Sequence, residues 1–415
     1  MRPGRGWVGP NAARTHSVLS YNHTMNKKIL GLQKNVFFLG LTSFFNDFSS
    51  EMILSILPAF FISVLKSGAQ ALGIVEGIAE AASNVIKIYS GRWSDRIQRR
   101  KVFAIAGYAI SVFSRPVYLL VSTVLGVIGL RVVDRIGKGL RDPPRDALIS
   151  LSTPEEEVGR SFGYHRAMDT MGAITGPLVA FLILRAYPGG FNSIFVTAFV
   201  IGLVAIASLT LVKDVQKIIE SKNTAEIPHV FSLRFKLYIV SIFVLSVGTL
   251  PVAVLLFKTQ DLGIAIASIP LFYMIYNVSY ALFSWPAGRA ADSLGSGAVI
   301  FAGYIFLIFG YLVLILSSAS WVLVAGFLLV GVFSALTDGV QRSYLSHLVE
   351  ERYKGAAYGY LNATSGFGAL VAGAGGGYLW QHSGDTFTLT VAIGVVIIGL
   401  VLFSADRAVA NRGHR

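Results

Sequence analysis

The stretch Gly91-Arg-Trp-Ser-Asp95-Arg96-Ile-Gln-Arg99-Arg100-Lys101 returns, eroded, as Gly288-Arg-Ala-Ala-Asp292-Ser-Leu-Gly295-Ser. Each copy follows a long apolar run and precedes another, so each reads as a short polar hairpin between two hydrophobic helices. A chain with the same hairpin in corresponding places of its two halves is a duplicated membrane protein, and internal repeats of this kind mark secondary transporters. The duplication extends further. Gly159-Arg-Ser-Phe162-Gly163-Tyr164-His-Arg-Ala167 aligns with Gly355-Ala-Ala-Tyr358-Gly359-Tyr360-Leu-Asn-Ala363, Gly172 with Gly368, and Arg145 and Leu148 with Arg342 and Leu345.

Composition enters here as a constraint on solvent. Hydrophobic residues make up 54% and charged residues 14% of the chain, against about 25% charged in soluble domains. Apolar runs long enough to span a bilayer recur along the sequence. They predict an all-α membrane protein with twelve spans at 35–65, 70–91, 102–122, 124–140, 161–184, 189–212, 237–257, 263–287, 297–317, 319–341, 355–380 and 386–405. The expected organisation is an N-terminal tail (1–34), a first six-helix half (35–212), a polar linker (213–236, with Asp214, Lys217, Glu220 and Lys222), a second half (237–406) and a short C-terminal tail (407–415). The absence of cysteine excludes disulfides and thiol ligands.

Charge placement sets the orientation. Among the 35 Lys and Arg residues, only Lys66, Arg185 and Lys258 fall in the odd-numbered connections, while the termini, the even-numbered connections and the linker carry most of the rest. The positive-inside rule then puts both termini in the cytoplasm of a plasma-membrane protein. A pI near 9.8 would suggest a nucleic-acid partner in a soluble chain; here the excess lies along one membrane face and needs no such partner. Residues 1–24 contain no apolar signal region. Met25 opens a basic lead-in, Met-Asn-Lys-Lys-Ile-Leu, so translation is expected to start there, with 1–24 either non-native or disordered.

Three local patterns resemble the major facilitator superfamily, over roughly residues 35 to 406. Gly91, Asp95, Arg96, Arg99 and Arg100 match its hairpin between spans 2 and 3, with Gln98 in place of the second Gly and Trp93 in place of Leu. Arg131 fits the start of its span-4 pattern, although Asp134-Arg135-Ile-Gly137-Lys138-Gly139 departs from the usual small residues. Gly172-Ala-Ile-Thr-Gly176-Pro177 is similar to the G-x-x-x-G-P element of its proton-driven exporters. The resemblance, most similar to drug/proton antiporters, implies two pseudo-symmetric halves and alternating access for a small solute, with a gate at Gly91, Asp95, Arg96, Arg99, Asp142, Arg145, Gly288 and Asp292.

The ionisable residues within spans are unevenly shared, and such residues mark pathways. Asp47 and Glu51 are spaced i,i+4, as are Glu76 and Glu80, and Arg131, Arg135 and Lys138 share a stripe, so each set lines one helix face. The four carboxylates are expected to face the span-4 bases. Asp47, Glu51, Glu76, Glu80 and Asp169 are the proton-carrying candidates, foremost Asp47 or Glu51; the alternative is a permanently paired strut. Arg131, Arg135, Arg166 and Asp338, with the aromatic face Tyr273, Tyr276, Asn277 and Tyr280, are the solute-binding candidates; the rings could equally pack against lipid. Pro143-Pro144 should end or kink span 4.

No phosphate-binding loop, metal motif or nucleophile–base pair is present, so ATP, a metal, a cofactor and enzymatic catalysis are unsupported. The expected function is proton-coupled export of small amphipathic organic compounds by a membrane-embedded monomer. The alternative is a proton-linked or exchange uptake carrier for an organic anion, clamped by Arg131 and Arg135.

Overall fold

The computed structural model describes residues 28–97, 99–215, 231–350 and 353–412, without the side chains of Arg92, Asp95, Glu155 and residues 406–412. Met25 and the linker residues Lys217, Glu220 and Lys222 lie outside the described residues. A two-residue hairpin, β1 (Lys28–Ile29) against β2 (Leu32–Gln33), leads into the helices. These are α1 (Lys34–Ser63), α2 (Ala69–Ile97), α3 (Arg100–Ser114), α4 (Val124–Leu151), α5 (Val158–Ala186) and α6 (Phe191–Thr210), then α7 (Leu233–Val247), α8 (Ile269–Leu294), α9 (Ser296–Ile315), α10 (Ser320–Ser346), α11 (Lys354–Ser383) and α12 (Asp385–Arg412). Short helical turns follow α3 (Pro116–Leu120) and α7 (Val252–Leu255, Lys258–Asp261). Among the described residues, eight segments are long and apolar enough to cross a membrane. Helix is the required form there, because hydrocarbon offers no partner to a free backbone amide.

Hydrogen bonds gather alternate helix ends at two faces. At one, the termini face, Lys28 Nζ meets Glu157 at 2.6 Å, Asn35 Nδ2 donates to Ser152 Oγ at 3.0 Å and to the Lys213 carbonyl at 2.9 Å, and Lys101 Nζ donates to the Thr210 carbonyl at 2.9 Å. At the far face, the Gln70 amide donates to Gln381 Oε1 at 3.3 Å and Lys258 pairs with Asp385. Within the first half α1 packs on α5 and α6, and α4 on α2 and α3; within the second α10 packs on α8 and α9, and α7 on α12. Between halves α2 lies along α11 and α5 along α8.

The α2–α11 seam exists because both helices offer glycines. A Cβ on Gly373 would strike the Gly73 carbonyl, and one on Gly377 would meet the Ala69 carbonyl. Small residues let the helix backbones touch, which is how helices associate where burying apolar surface brings no gain over lipid. The seam runs from Gly68 and Gln381 at the far face to Asn84 and Gly366 at mid-depth, whereas Gly359, nearer the termini face, has nothing within 4 Å. Apolar packing follows the same division. One cluster joins both halves through Phe60, Phe61, Leu72, Leu255, Phe257 and Trp380; a second, with Val36, Leu39, Tyr108, Leu148 and Leu209, belongs to the first half at its termini face. The halves are therefore closed at the far face and parted at the termini face.

Two expectations are corrected. The repeated polar motif is not a hairpin loop: Gly91 to Ile97 are the last turns of α2, and Gly288 to Leu294 the last turns of α8, with the second reversal at Gly295, φ 87°. At Gly295 the positive φ favours glycine. Of the two outcomes expected of Pro143-Pro144, an end or a kink, the end is overturned: α4 runs through them to Leu151. Pro143 cannot bond the Gly139 carbonyl, but Ser90 Oγ of α2 donates to that oxygen at 2.7 Å, so the acceptor freed by proline is satisfied by a neighbouring helix.

Candidate functional site

A cavity of about 480 Å³ lies between the halves. The first half lines it with Glu76, Glu80 and Asn84 from α2 and Arg135 and Lys138 from α4. The second half contributes Tyr273 and Tyr276 from α8, Tyr304 from α9, and Phe333, Asp338 and Gln341 from α10. One wall is thus charged with both signs and the other is aromatic with a single carboxylate. Volume and lining both suit a small organic molecule.

The α2 and α4 charges are arranged in helical register. Arg131 Nε and Nη2 donate to the two oxygens of Glu76, each at 2.8 Å, and its Nη1 reaches Asp134 at 3.2 Å. The Arg131 side chain is 3% exposed, so this bidentate pair is internal and Arg131 does not line the cavity. Arg135 does, with 3.9 Å to Glu76 and no partner for its buried Nε. Lys138 faces the same space without an ion pair among the described residues. Glu80 accepts from Asn84 Nδ2 at 3.4 Å.

Of the four carboxylates expected to face α4, Glu76 and Glu80 line the cavity beside its bases, whereas Asp47 and Glu51 feel those bases only at a distance and form no ion pair with them among the described residues. Those two point from α1 towards α5 and α8. Asp47 accepts from Asn46 Nδ2 at 3.1 Å, and it shares its surroundings with Asp169, whose carboxylate takes the Ser43 hydroxyl and lies 3.5 Å from His165 Nδ1. Glu51 lies against the Tyr273 hydroxyl, with its other oxygen buried and unpartnered. Tyr273 is a cavity residue, so α1 reaches the solute space through it. The reason for the rotation is packing: Gly172 and Gly176 of α5 press on the α1 backbone at Phe44, Phe48 and Met52, which turns the Asp47–Glu51 face towards α5.

The span-5 element has a second consequence. Pro177 lies inside α5 and cannot bond the Ala173 carbonyl. That oxygen accepts instead from Asn277 Nδ2 of α8 at 3.0 Å. Asn277 is therefore a strut between the halves and not a cavity residue. Arg166 and Tyr280 also join the halves, at 2.8 Å, and both border a separate crevice of about 690 Å³ between α5 and α8 that includes Gly288 and Asp292. Arg166 stands 4.0 Å from Asp169, so the two are not each other's main partners.

The gate residues are dispersed in this state. Arg96 and Arg99 are exposed, a Cβ on Gly91 would meet Pro143 at 3.5 Å, and the Asp95 side chain lies outside the described residues. Arg145 binds Asp142 at 3.4 Å and Asp146 at 2.9 Å on its own helix, with no partner across the mouth among the described residues. Among the described residues no cluster of His, Asp and Glu could hold a metal. Sequence reasoning missed Tyr304, Gln341 and Asn84 as lining residues, and placed Lys138 on the charged stripe of span 4 without making it a solute contact. The signal was present, since each is a polar group in an apolar span, but which face turns inward depends on packing.

Two halves with a shared cavity closed at one face describe a secondary transporter. The family model of the Major Facilitator Superfamily matches residues 39–247 and 237–413, and the chain belongs to that family. An MFS-type transporter of Methanocaldococcus jannaschii is 34% identical over 89% of this chain and 94% of its own length. The multidrug resistance protein MdtG of Escherichia fergusonii is 23% identical over 89% and 93%. The solved peptide transporter POT, in a mutant form, superposes with a TM-score of 0.76 at 15% identity, covering 94% of this chain and 98% of that one, which shows a shared fold. The protein is a multi-pass integral plasma-membrane transporter of small-molecule solutes and not an enzyme.

Proposed function

We propose that the protein is a proton-coupled exporter of small amphipathic organic compounds, working by alternating access around the cavity between its halves. The observation that carries this reading is the asymmetric closure: a glycine seam and apolar plug at the far face, and parted halves at the termini face. Twelve helices span the bilayer in this reading. The eight apolar ones are joined by α1, α2, α4 and α11, whose polar groups turn to the cavity or to each other. Both termini are cytoplasmic, following the basic residues, and the cavity is then open inward. The working unit is a monomer. The efflux direction is taken from relatives such as MdtG, which is named for multidrug resistance.

Proton coupling is assigned to Asp47, Glu51 and Asp169. They are carboxylates without a full ionic partner, close to one another, and linked to the cavity through Tyr273. Ionised neighbours at such depth repel, so binding one proton relieves the cluster. In proteoliposomes, an imposed proton gradient should drive solute uphill, and Asp47→Asn or Glu51→Gln should lower that rate by about tenfold, or 1.4 kcal/mol in barrier. Full gradient coupling in both variants would refute the assignment.

The alternative, an organic-anion carrier clamped by Arg131 and Arg135, draws support from Arg135 lining the cavity. It would require Arg131 to abandon its bidentate contact with Glu76.

A further inference from the structure

The cavity has one carboxylate that forms no ion pair among the described residues. On the first-half wall, the lining bases Arg135 and Lys138 of α4 are matched in number by Glu76 and Glu80, while Arg131 and Asp134 pair behind them. On the second-half wall the sole Asp, Glu, Lys or Arg among the lining residues is Asp338 of α10. Its side chain is exposed, although it sits deep in the fold, because what it faces is the cavity. Arg166 of α5 and Arg342, one turn along α10, act on it electrostatically, and neither forms an ion pair with it among the described residues. Arg166 is instead held by the Tyr280 hydroxyl, which lies between the guanidinium and Asp338.

Rings surround this carboxylate. Tyr276 and Tyr304 line the same cavity. Tyr280 stacks on Tyr276 with centroids 6.5 Å apart and planes 7° from parallel, and Tyr273 stands 5.9 Å from Tyr276 on the other side. The rings are fixed: the Tyr276 hydroxyl bonds Ser334 Oγ at 3.0 Å, and Gln341 Nε2 donates to the Tyr304 hydroxyl at 3.1 Å. A carboxylate among aromatic faces attracts an organic ammonium group, which gains from the ring quadrupoles as well as from the charge. An anion seated here would meet a carboxylate and electron-rich faces, an arrangement that discriminates by repulsion.

We infer that Asp338, with Tyr276 and Tyr304, is the subsite for a positively charged nitrogen, so that the carried solute is an organic cation or zwitterion bearing an ammonium group. This rests on the reading of the central cavity as the solute site and adds the chemical class of the solute.

The test is ligand-dependent thermal unfolding of the purified full-length chain, with benzyltrimethylammonium, benzyl alcohol and benzoate as matched probes. Only the cation should raise the midpoint saturably, and Asp338→Asn should weaken its apparent affinity about tenfold. Asp338→Glu and Tyr276→Ala, kept in case the asparagine variant does not fold, should each weaken it by a smaller factor. Unchanged affinity in these variants overturns the inference, as does a midpoint that the cation does not raise. Stabilisation by benzoate, lost in Lys138→Gln, overturns it in favour of an anion site. No gradient is imposed, so failure of proton coupling leaves this result intact. Gradient-driven transport without ammonium binding would sink the subsite alone.

Discussion

At the scale of single residues, the division of labour among buried charges is set by geometry more than by residue type. Arg131 and Arg135 sit one turn apart on α4, yet Arg131 is consumed by Glu76 and Asp134 while Arg135 turns an unpartnered Nε into the interior. A buried pair broken from one side leaves an uncompensated charge, which costs about 3–5 kcal/mol. Arg131→Gln should therefore destabilise the fold by about 3 kcal/mol, measured as a lower unfolding midpoint. The double variant Arg131→Met with Glu76→Leu should recover most of that loss. If the double variant is no better than the single, the pair is not the internal strut its geometry indicates. Arg115 makes the same point: it donates to Asn46 at 2.9 Å and to Ser49, holding α3 to α1 inside the first half.

At the scale of elements, prolines and glycines do different work in different seams. Gly172 and Gly176 hold α5 against α1 within one half, whereas Gly73 and Gly373 hold α2 against α11 across the halves. Gly373→Val should thus leave each half folded but prise open the far face, lowering transport by about tenfold. Gly375→Ala, at a site with nothing within 4 Å, should be silent; equal behaviour of the two would refute the seam. Pro177 reaches further than its own helix. Its missing amide leaves the Ala173 carbonyl to Asn277, so Pro177→Ala should let α5 reclaim that oxygen and loosen the α5–α8 contact. Accessibility of an introduced Ala281→Cys thiol, which borders the α5–α8 crevice and leaves Asn277 in place, to a water-soluble maleimide would rise in that variant, and no rise would contradict the coupling.

At the scale of the molecule, function lies in the asymmetry between faces. The far face is sealed by apolar side chains, the glycine seam, and the Gln70–Gln381 and Lys258–Asp385 contacts. The termini face is held by contacts within each half. A cysteine-free chain permits a direct test: Gly68→Cys with Gln381→Cys, joined by a short bifunctional reagent, should abolish turnover while leaving solute binding from the termini face intact. Continued turnover of the cross-linked protein would mean that the seal does not open during transport. The duplicated halves also differ in charge. Carboxylates and bases crowd α1, α2, α4 and α5, while Asp338 is the one second-half carboxylate lining the central cavity, which fits coupling in one half and solute recognition in the other.

The sequence alone determined the membrane-embedded helical class, the two-fold repeat and the concentration of ions in the first half. Each of these is a one-dimensional property: run length, spacing, or repetition of residue types. It also located Asp338, Tyr276 and Tyr280, because polar groups are costly in an apolar span wherever they face. What only the tertiary structure decided was pairing. The α1 carboxylates face α5 and α8 and not α4, Asn277 is a strut, and Lys138 replaces Arg131 at the cavity wall. A helix presents the same sequence pattern whichever way it is rotated about its axis. The rotation is fixed by small-residue seams between helices distant in sequence, and no helix encodes that angle by itself.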